Sequence, residues 1–301
     1  RVFGAEGMID RDKENKTFAW LSEEGVAPKY YGRFLNGRVE GYYEGFIPVT
    51  LDDLHQKYVI VSIARQLATL HKVKVPEYMR DCDIVMWEQL DTWLQQSKEK
   101  IDWIKRGGCK LSEGHILQYK SIPLDKCTTK ISQLKKYIIH SNKKRDNQIV
   151  FCHNDLLCGN ILKHPKTNQV KLIDFEYGGL GYRGFDIANH FNEWAGGTLT
   201  DGCGPGYNGV PDYKRFPSNQ QQNDFCCAYL DELSSEFGGS SGMMIPDQQR
   251  QLQDIQNEVA QFVTLNHFYW GLWAVNRGFE DGCDDFDYMH YALARLSRGL
   301  E

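Results

Sequence analysis

Three residue types able to do chemistry together stand at fixed offsets in one segment, Phe151-Cys-His-Asn-Asp-Leu-Leu-Cys-Gly-Asn-Ile-Leu162, which contains His153-x-Asp155-x-x-x-x-Asn160. Fourteen residues after Asn160 comes Asp174, in Leu172-Ile-Asp-Phe-Glu-Tyr177. Phosphoryl transfer from ATP needs a carboxylate to accept or orient the proton of the attacking hydroxyl, and oxygen ligands to hold Mg2+ on the phosphates. The pattern supplies both, with Asp155 as base and Asn160 and Asp174 as metal ligands, Asp174 also serving the nucleotide. ATP and Mg2+ are the cofactors expected on that reading. His153 is expected to pack and hydrogen-bond the loop rather than do chemistry. Asp186 is expected to anchor the same loop through backbone hydrogen bonds.

Those groups need elements to hold them. Ile149 to Cys152 reads as a short buried strand and Val170 to Phe175 as another, and the pair of them is expected to fix the separation of the two loops. Upstream, Glu14 to Glu24 reads as a short helix stopped by Gly25 and Pro28, and Val39 to Ile47 as a strand or hairpin ending at Pro48. Ile60, Ile63, Ala64, Leu67 and Leu70 recur at helical spacing between Leu54 and His71. Helices are also expected over Trp87 to Ile104, Ile131 to His140, Phe185 to Trp194, Asp224 to Phe237, Asp247 to Arg277 and Phe286 to Arg298. Gly-rich stretches at Gly196 to Gly209 and Gly238 to Gly242 read as loops. The order is a small β-containing start followed by a mostly helical body.

Composition bounds the function class. The chain has 301 residues, 41% hydrophobic and 25% charged, with a mean hydropathy of -0.53. It has no apolar run near the ~18–20 residues that span a membrane. A stably membrane-inserted protein, a collagen-like fibre and a wholly disordered chain are excluded. Forty acidic residues against 35 basic ones give a net charge of -5, so general nucleic-acid binding, which needs a basic face, is not expected. The nine cysteines are scattered without a C-x-x-C pair, which fits reduced thiols and a cytoplasmic location rather than a disulfide framework or zinc ribbon.

The chain resembles the eukaryotic choline/ethanolamine kinase family, and choline kinases in particular. The matching text is Phe151-Cys-His-Asn-Asp155, Gly159-Asn-Ile-Leu162, Ile173-Asp-Phe-Glu-Tyr177, Tyr182-Arg-Gly-Phe-Asp-Ile-Ala-Asn-His-Phe-Asn-Glu-Trp194, Asn266-His-Phe-Tyr-Trp-Gly-Leu-Trp273 and Phe286-Asp-Tyr-Met-His-Tyr291. Upstream, Ile9-Asp-Arg-Asp12, Ala27-Pro-Lys-Tyr-Tyr31 and Gly32-Arg-Phe-Leu-Asn-Gly-Arg-Val-Glu40 are also similar. The resemblance implies an α+β, protein-kinase-like fold of two lobes: a partial N-terminal lobe over residues 1–48 and a large, mostly helical C-terminal lobe over residues 49–301. The family's first strands and the loop over the ATP phosphates would precede Arg1. Arg1 is then the phosphate-side cation, in place of the kinase Lys, and Glu14 its helix partner. The implied reaction transfers the γ-phosphate of ATP to the hydroxyl of choline, giving phosphocholine and ADP, the first step of phosphatidylcholine synthesis by the CDP-choline route. A homodimer is also implied.

The substrate side makes physical sense beside the resemblance. A quaternary ammonium cannot donate a hydrogen bond and is held by aromatic faces and a counter-charge. Trp270 and Trp273 lie three apart and share a helix face. Tyr177 follows the metal-binding strand, and Glu193 offers the negative charge. Phe286 and Tyr291 match the remaining aromatic positions. Many choline kinases place another aromatic shortly after Trp194, where this chain has Ala195-Gly-Gly-Thr198; Tyr207 is the replacement candidate. Two further readings stay open, an ethanolamine kinase and a catalytically dead kinase-like binding module. The Trp pair argues against an aminoglycoside kinase. Gly179-Leu-Gly-Tyr-Arg-Gly184 fits G-x-G-x-x-G, but no parallel βαβ unit surrounds it. Gly238 to Gly242 fits G-x-S-x-G without the strand a nucleophile elbow needs. Lys143-Lys-Arg145 reads as a solvated loop.

Overall fold

The computed structural model describes residues 10–80, 82–108, 111–142, 149–234, 246–281 and 285–301. Arg1, the Lys143 to Arg145 cluster and the Gly238 to Gly242 stretch lie outside them. Helix α1 (Arg11–Glu23) begins where Asp10 accepts from the backbone N–H groups of Asp12 and Lys13, a side-chain cap for an otherwise unpaired helix end. It stops before Gly25, whose φ of 75° suits glycine. Strands β1 (Tyr30–Phe34) and β2 (Gly37–Glu40) form an antiparallel hairpin around Leu35 and Asn36. The hairpin therefore lies ahead of the strand expected from Val39 to Ile47. The two-residue turn puts Gly37 opposite Phe34 as the first residue of β2, whereas the aromatic run after Glu40 leads only to the two-residue β3 (Ile47–Pro48).

Helix α2 (Lys57–His71) buries Ile60, Ile63, Ala64, Leu67 and Leu70, the stripe its 3.6-residue period demands. The short α3 (Glu77–Arg80) leads to α4 (Val85–Lys105), α5 (Glu113–Ser121) and α6 (Leu124–Asn142). Helix α5 was not expected; Tyr119 alone is buried on it, so it carries no apolar stripe to read.

Four short strands follow: β4 (Ile149–Cys152), β5 (Ile161–Lys163), β6 (Val170–Leu172) and β7 (Gly179–Tyr182). The two strands expected here do not pair with each other. β4 pairs antiparallel with β7, Cys152 opposite Gly179. β6 pairs with β5, Ile161 opposite Leu172, and β5 pairs in turn with β3. The physical reason is the six-residue turn after Lys163, with Asn168 at φ 58°, which folds β6 straight back on β5. β7 escapes sequence reading because glycine supplies half of it. Gly179 serves close packing, since a Cβ there would lie 2.4 Å from Val85 Cγ2, and so does Gly184 in the helix that follows β7, where a Cβ would lie 3.0 Å from the Glu258 carbonyl oxygen. That accounts for the G-x-G-x-x-G text without a dinucleotide.

Helices α7 (Arg183–Glu193), α8 (Asn219–Leu233), α9 (Pro246–Asp281) and α10 (Tyr288–Leu300) complete the molecule. α9 packs along α7, α4 and α10, and α2 packs on α8. Among the described residues, no helix is long and apolar enough to cross a membrane.

Candidate active site

The two strand pairs bracket two loops, 153–160 after β4 and 173–178 between β6 and β7. Both contain a non-glycine residue in the left-handed region, Asn154 at φ 65° and Asp174 at φ 64°. Such residues persist only where neighbours over-determine them. Here the neighbours are visible. Asp186, fully buried near the start of α7, accepts from the backbone N–H of His153 (2.7 Å) on Oδ2 and of Asn154 (2.8 Å) on Oδ1. Its Oδ2 also meets His71 Nε2 at 3.0 Å, and His71 Nδ1 meets the Tyr229 hydroxyl at 2.7 Å. Burial works against the Asp186 charge, but the His71 bond and the backbone donors outweigh it and hold its pKa below the usual carboxylate value. Cys152 lies beside His71 and Asp186, their polar atoms within 4.8 Å of one another. The hydrogen bonds of His71 and Asp186 already run to protein groups.

His153 is buried under the loop. Its Nε2 is 2.9 Å from the Ile173 carbonyl oxygen, its Nδ1 accepts from the Asp155 N–H at 3.3 Å, and its ring lies on Phe175. Burial lowers its pKa. The side chain thus ties the two loops together and does not face the reacting groups.

Asp155, Asn160 and Asp174 are brought together. Asn160 Nδ2 donates to the Asp155 carbonyl (2.8 Å) and to Asp155 Oδ2 (2.9 Å), and the Ile173 N–H donates to the Asn160 carbonyl at 3.0 Å. Asp155 has its pKa raised well above the ordinary value, first by burial and then by the charges of Glu193, Asp174 and Glu176. A carboxylate so placed is a better proton acceptor than one in water. With its amide nitrogen committed to Asp155, Asn160 keeps its side-chain oxygen Oδ1 as a donor atom for a metal. Together with the Asp174 carboxylate this is an all-oxygen donor set, which fits Mg2+.

Next to the Asp174 loop runs a cleft of about 540 Å3 lined by Pro28, Tyr42, Tyr43, Phe46, Leu162 and Ile173, and reaching Asp174. Its largely apolar walls and its end at a carboxylate suit a planar base with a charged tail. Apart from Leu162 on β5, these residues lie in connecting segments, Pro28 before β1, Tyr42, Tyr43 and Phe46 between β2 and β3, and Ile173 just after β6, where no periodicity marks them. Glu14 is buried on α1, accepting from Arg11 (2.6 Å) and Arg38 (2.7 Å), and Arg11 also reaches Glu176 at 3.2 Å. The N-terminal helix is thereby linked to the Asp174 loop.

The aromatic residues form a chain of ring contacts. Tyr177 packs on Trp270 (5.4 Å between centroids) and Trp270 on Trp273 (5.4 Å). Trp273 meets Tyr288 (5.7 Å), Tyr288 meets Phe286 (4.8 Å), and Phe286 meets Tyr291 (6.0 Å). Tyr288 was not singled out, although it sits inside the Phe286 to Tyr291 text. Trp273 Nε1 donates to the Tyr177 hydroxyl at 2.9 Å, and Asn154 Nδ2 to the Tyr177 carbonyl, also at 2.9 Å. The backbone of Tyr177 is therefore tied to the 153–160 loop and its ring to α9. Glu193, at the end of α7, is buried. Its Oε1 accepts from Arg295 at 2.9 Å, and its Oε2 has no hydrogen-bond partner. Burial raises its pKa against the pull of Arg295. Tyr207 lies against Gly202 and bridges to Leu199; the Gly-rich loop folds on itself, with Gly197 N–H donating to the Gly206 carbonyl at 2.6 Å.

Comparison with known proteins fits this arrangement. The family model described as choline/ethanolamine kinase matches residues 1–298. The chain is 29% identical over 303 residues to a probable ethanolamine kinase A of Dictyostelium discoideum, covering all of this chain and 76% of that protein. It is also 29% identical over 296 residues to a probable choline kinase 1 of Arabidopsis thaliana, covering 98% of this chain and 75% of the other. Its fold matches the solved structure of a Plasmodium vivax ethanolamine kinase with a TM-score of 0.79 and 25% identity, over 99% of this chain and 74% of that one. The fold is thus the two-lobed, protein-kinase-like one. The chain belongs to the choline/ethanolamine kinase family, phosphotransferases that act on an alcohol group.

Proposed function

We propose that the protein transfers the γ-phosphate of ATP to the hydroxyl of choline, giving phosphocholine and ADP. The observation that carries the reading is the run of aromatic rings from Tyr177 through Trp270 and Trp273, with the buried Glu193 carboxylate as counter-charge. Aromatic faces and one carboxylate hold a quaternary ammonium, which offers no N–H. Asp155 then orients the choline hydroxyl and accepts its proton as the oxygen attacks in line. The apolar cleft beside Ile173 holds the adenine, and Asp174 faces the phosphate end. Asn160 and Asp174 would hold Mg2+, which when bound neutralises charge on the phosphates. Arg1 is assigned to the phosphate side on the resemblance alone. Phe286 and Tyr291 belong to the outer wall of the amine site. The lobe boundary is placed near Pro48, where β3 joins β5. The free thiols of the described residues support a cytoplasmic location. The product would enter phospholipid synthesis, and a homodimer is the expected assembly.

Ethanolamine is the second reading. It is favoured by the unpartnered, buried Glu193 Oε2 and Asn192 Oδ1, acceptors that a primary ammonium could use and a quaternary one could not. Steady-state kcat/KM with each amine, in parallel, separates the two. A higher value with choline supports the first reading. A higher value with ethanolamine transfers the mechanism to the second, and no turnover with either removes both.

A further inference from the structure

Arg295 is a charged side chain with no exposure to solvent. Its guanidinium makes four contacts on one side of the amine site. Nη1 donates to Glu193 Oε1 (2.9 Å) and to the Tyr291 hydroxyl (3.1 Å). Nη2 donates to Asn266 Oδ1 (2.8 Å) and faces the Asn266 carbonyl at 3.4 Å. Asn266 passes the link onward: its Nδ2 donates to Asn189 Oδ1 at 2.8 Å, and the same oxygen accepts from Trp270 Nε1 at 2.6 Å. One cation on α10 thus bonds directly to the counter-charge on α7 and, through two buried amides, to an indole of the aromatic wall on α9. A planar guanidinium can span such a set because its donors point in fixed, divergent directions; an ammonium cannot.

The geometry points to Arg295 as the positioning residue of the amine site: it holds Glu193 by one carboxylate oxygen, leaving the other, buried and unpaired, for an ammonium, and sets the orientation of Trp270. The inference rests on the amine-kinase reading above. Arg295 touches neither the nucleotide cleft nor Asp155 directly, so its removal acts on the amine. Without it, Glu193 would be a buried carboxylate with no cation, and such a group takes up a proton rather than stay charged. The site would then lose the charge an ammonium needs and the fixed angle of one wall.

The test compares wild type, Arg295→Met and Arg295→Lys, measuring KM for the amine, KM for ATP, kcat and the thermal midpoint. Arg295→Met should raise the amine KM by about tenfold or more, the scale of losing a partner from a desolvated charge pair, with the ATP KM within about twofold. Arg295→Lys keeps the charge but cannot reach Glu193 and Asn266 together; it should lie between the two in amine KM. If Arg295→Met does not fold, the Lys variant carries the test, because a selective rise in amine KM is still required of it. Amine and ATP KM values that stay unchanged while kcat or the thermal midpoint falls would make Arg295 a purely structural residue and overturn the inference. A wild type that turns over neither amine would instead strike the functional reading itself, which the variant-to-wild-type ratios do not address.

Discussion

Asp155 sits beside the Asp174 loop and near the Tyr177 ring, and most of the groups around it push its proton affinity up. Burial and the charges of Glu193, Asp174 and Glu176 act in one direction, while the Asn160 amide acts in the other. A side chain in that position contributes through the proton it orients, so Asp155→Ala should lower kcat by about 10^3-fold, within the usual range for losing a positioned acid–base group. The ATP KM should change little. A variant within tenfold of wild type in kcat would remove Asp155 from the role. Trp270 offers a ring face in a desolvated setting, where a cation–aromatic contact is worth up to about 2 kcal/mol. Trp270→Leu should therefore raise the choline KM about tenfold, measured against an ATP KM that stays in place. The Asp155, Asn160 and Asp174 group was legible because its members fall within one short stretch of chain at fixed offsets. Arg295, Asn266 and Asn189 were not: their bonds join residues far apart in sequence, and such partnerships leave no periodicity to read.

The catalytic loop is held by elements rather than by its own sequence. Asp186 on α7 fixes the two amides after β4 and is itself fixed by His71 on α2. Asp186→Asn would leave one of those donors facing a nitrogen and remove the charge beside His71. Losing hydrogen bonds to a buried charged group costs about 1.5–3 kcal/mol each, and the urea midpoint should fall accordingly. Gly179 tests the packing of β7 more narrowly. An Ala there would press its Cβ into Val85, and overpacking of this kind destabilises by about 1–3 kcal/mol. An unchanged midpoint in Gly179→Ala would contradict the close approach of β7 to α4. At this scale, the helices with a clear apolar stripe were legible, α2 best of all. The short strands were not, because β5 and β6 have three residues each and β7 alternates with glycine, so pairing rather than pattern defines them.

The large lobe as a whole is built on neutral buried histidines and a charged buried aspartate, and that sets its response to acid. His190 has both ring nitrogens engaged, one at 3.0 Å from the Leu156 carbonyl and the other accepting from Trp194, and burial pushes its pKa down to about 4. An unfolded histidine titrates near 6.5. As pH falls, the unfolded chain takes up the proton first. The stability linked to His190 is therefore present above about pH 6.5 and is lost between there and about pH 4, up to about 3 kcal/mol. His267, held down to about 2 chiefly by burial and also by Arg295, adds a loss of the same sign. Asp186, also lowered, adds its own loss only below the ordinary aspartate value. Asp155 and Glu193, both raised, contribute with the opposite sign, so the test is the difference between wild type and His190→Asn. The wild-type urea midpoint should fall relative to the variant's between about pH 7.5 and about pH 4.5, and a difference constant across that window would contradict the neutral burial of this ring.

The central claim is a phosphoryl transfer centred on Asp155 with choline as acceptor. The most direct measurement follows the products by 31P NMR with ATP, Mg2+ and choline present, for wild type and Asp155→Ala side by side. The account predicts that the wild type converts the γ-phosphate signal into phosphocholine and ADP in equal amounts, while the folded variant leaves ATP intact over the same time. Phosphocholine formed equally well by the Asp155→Ala protein, or inorganic phosphate in place of phosphocholine in the wild type, would contradict it.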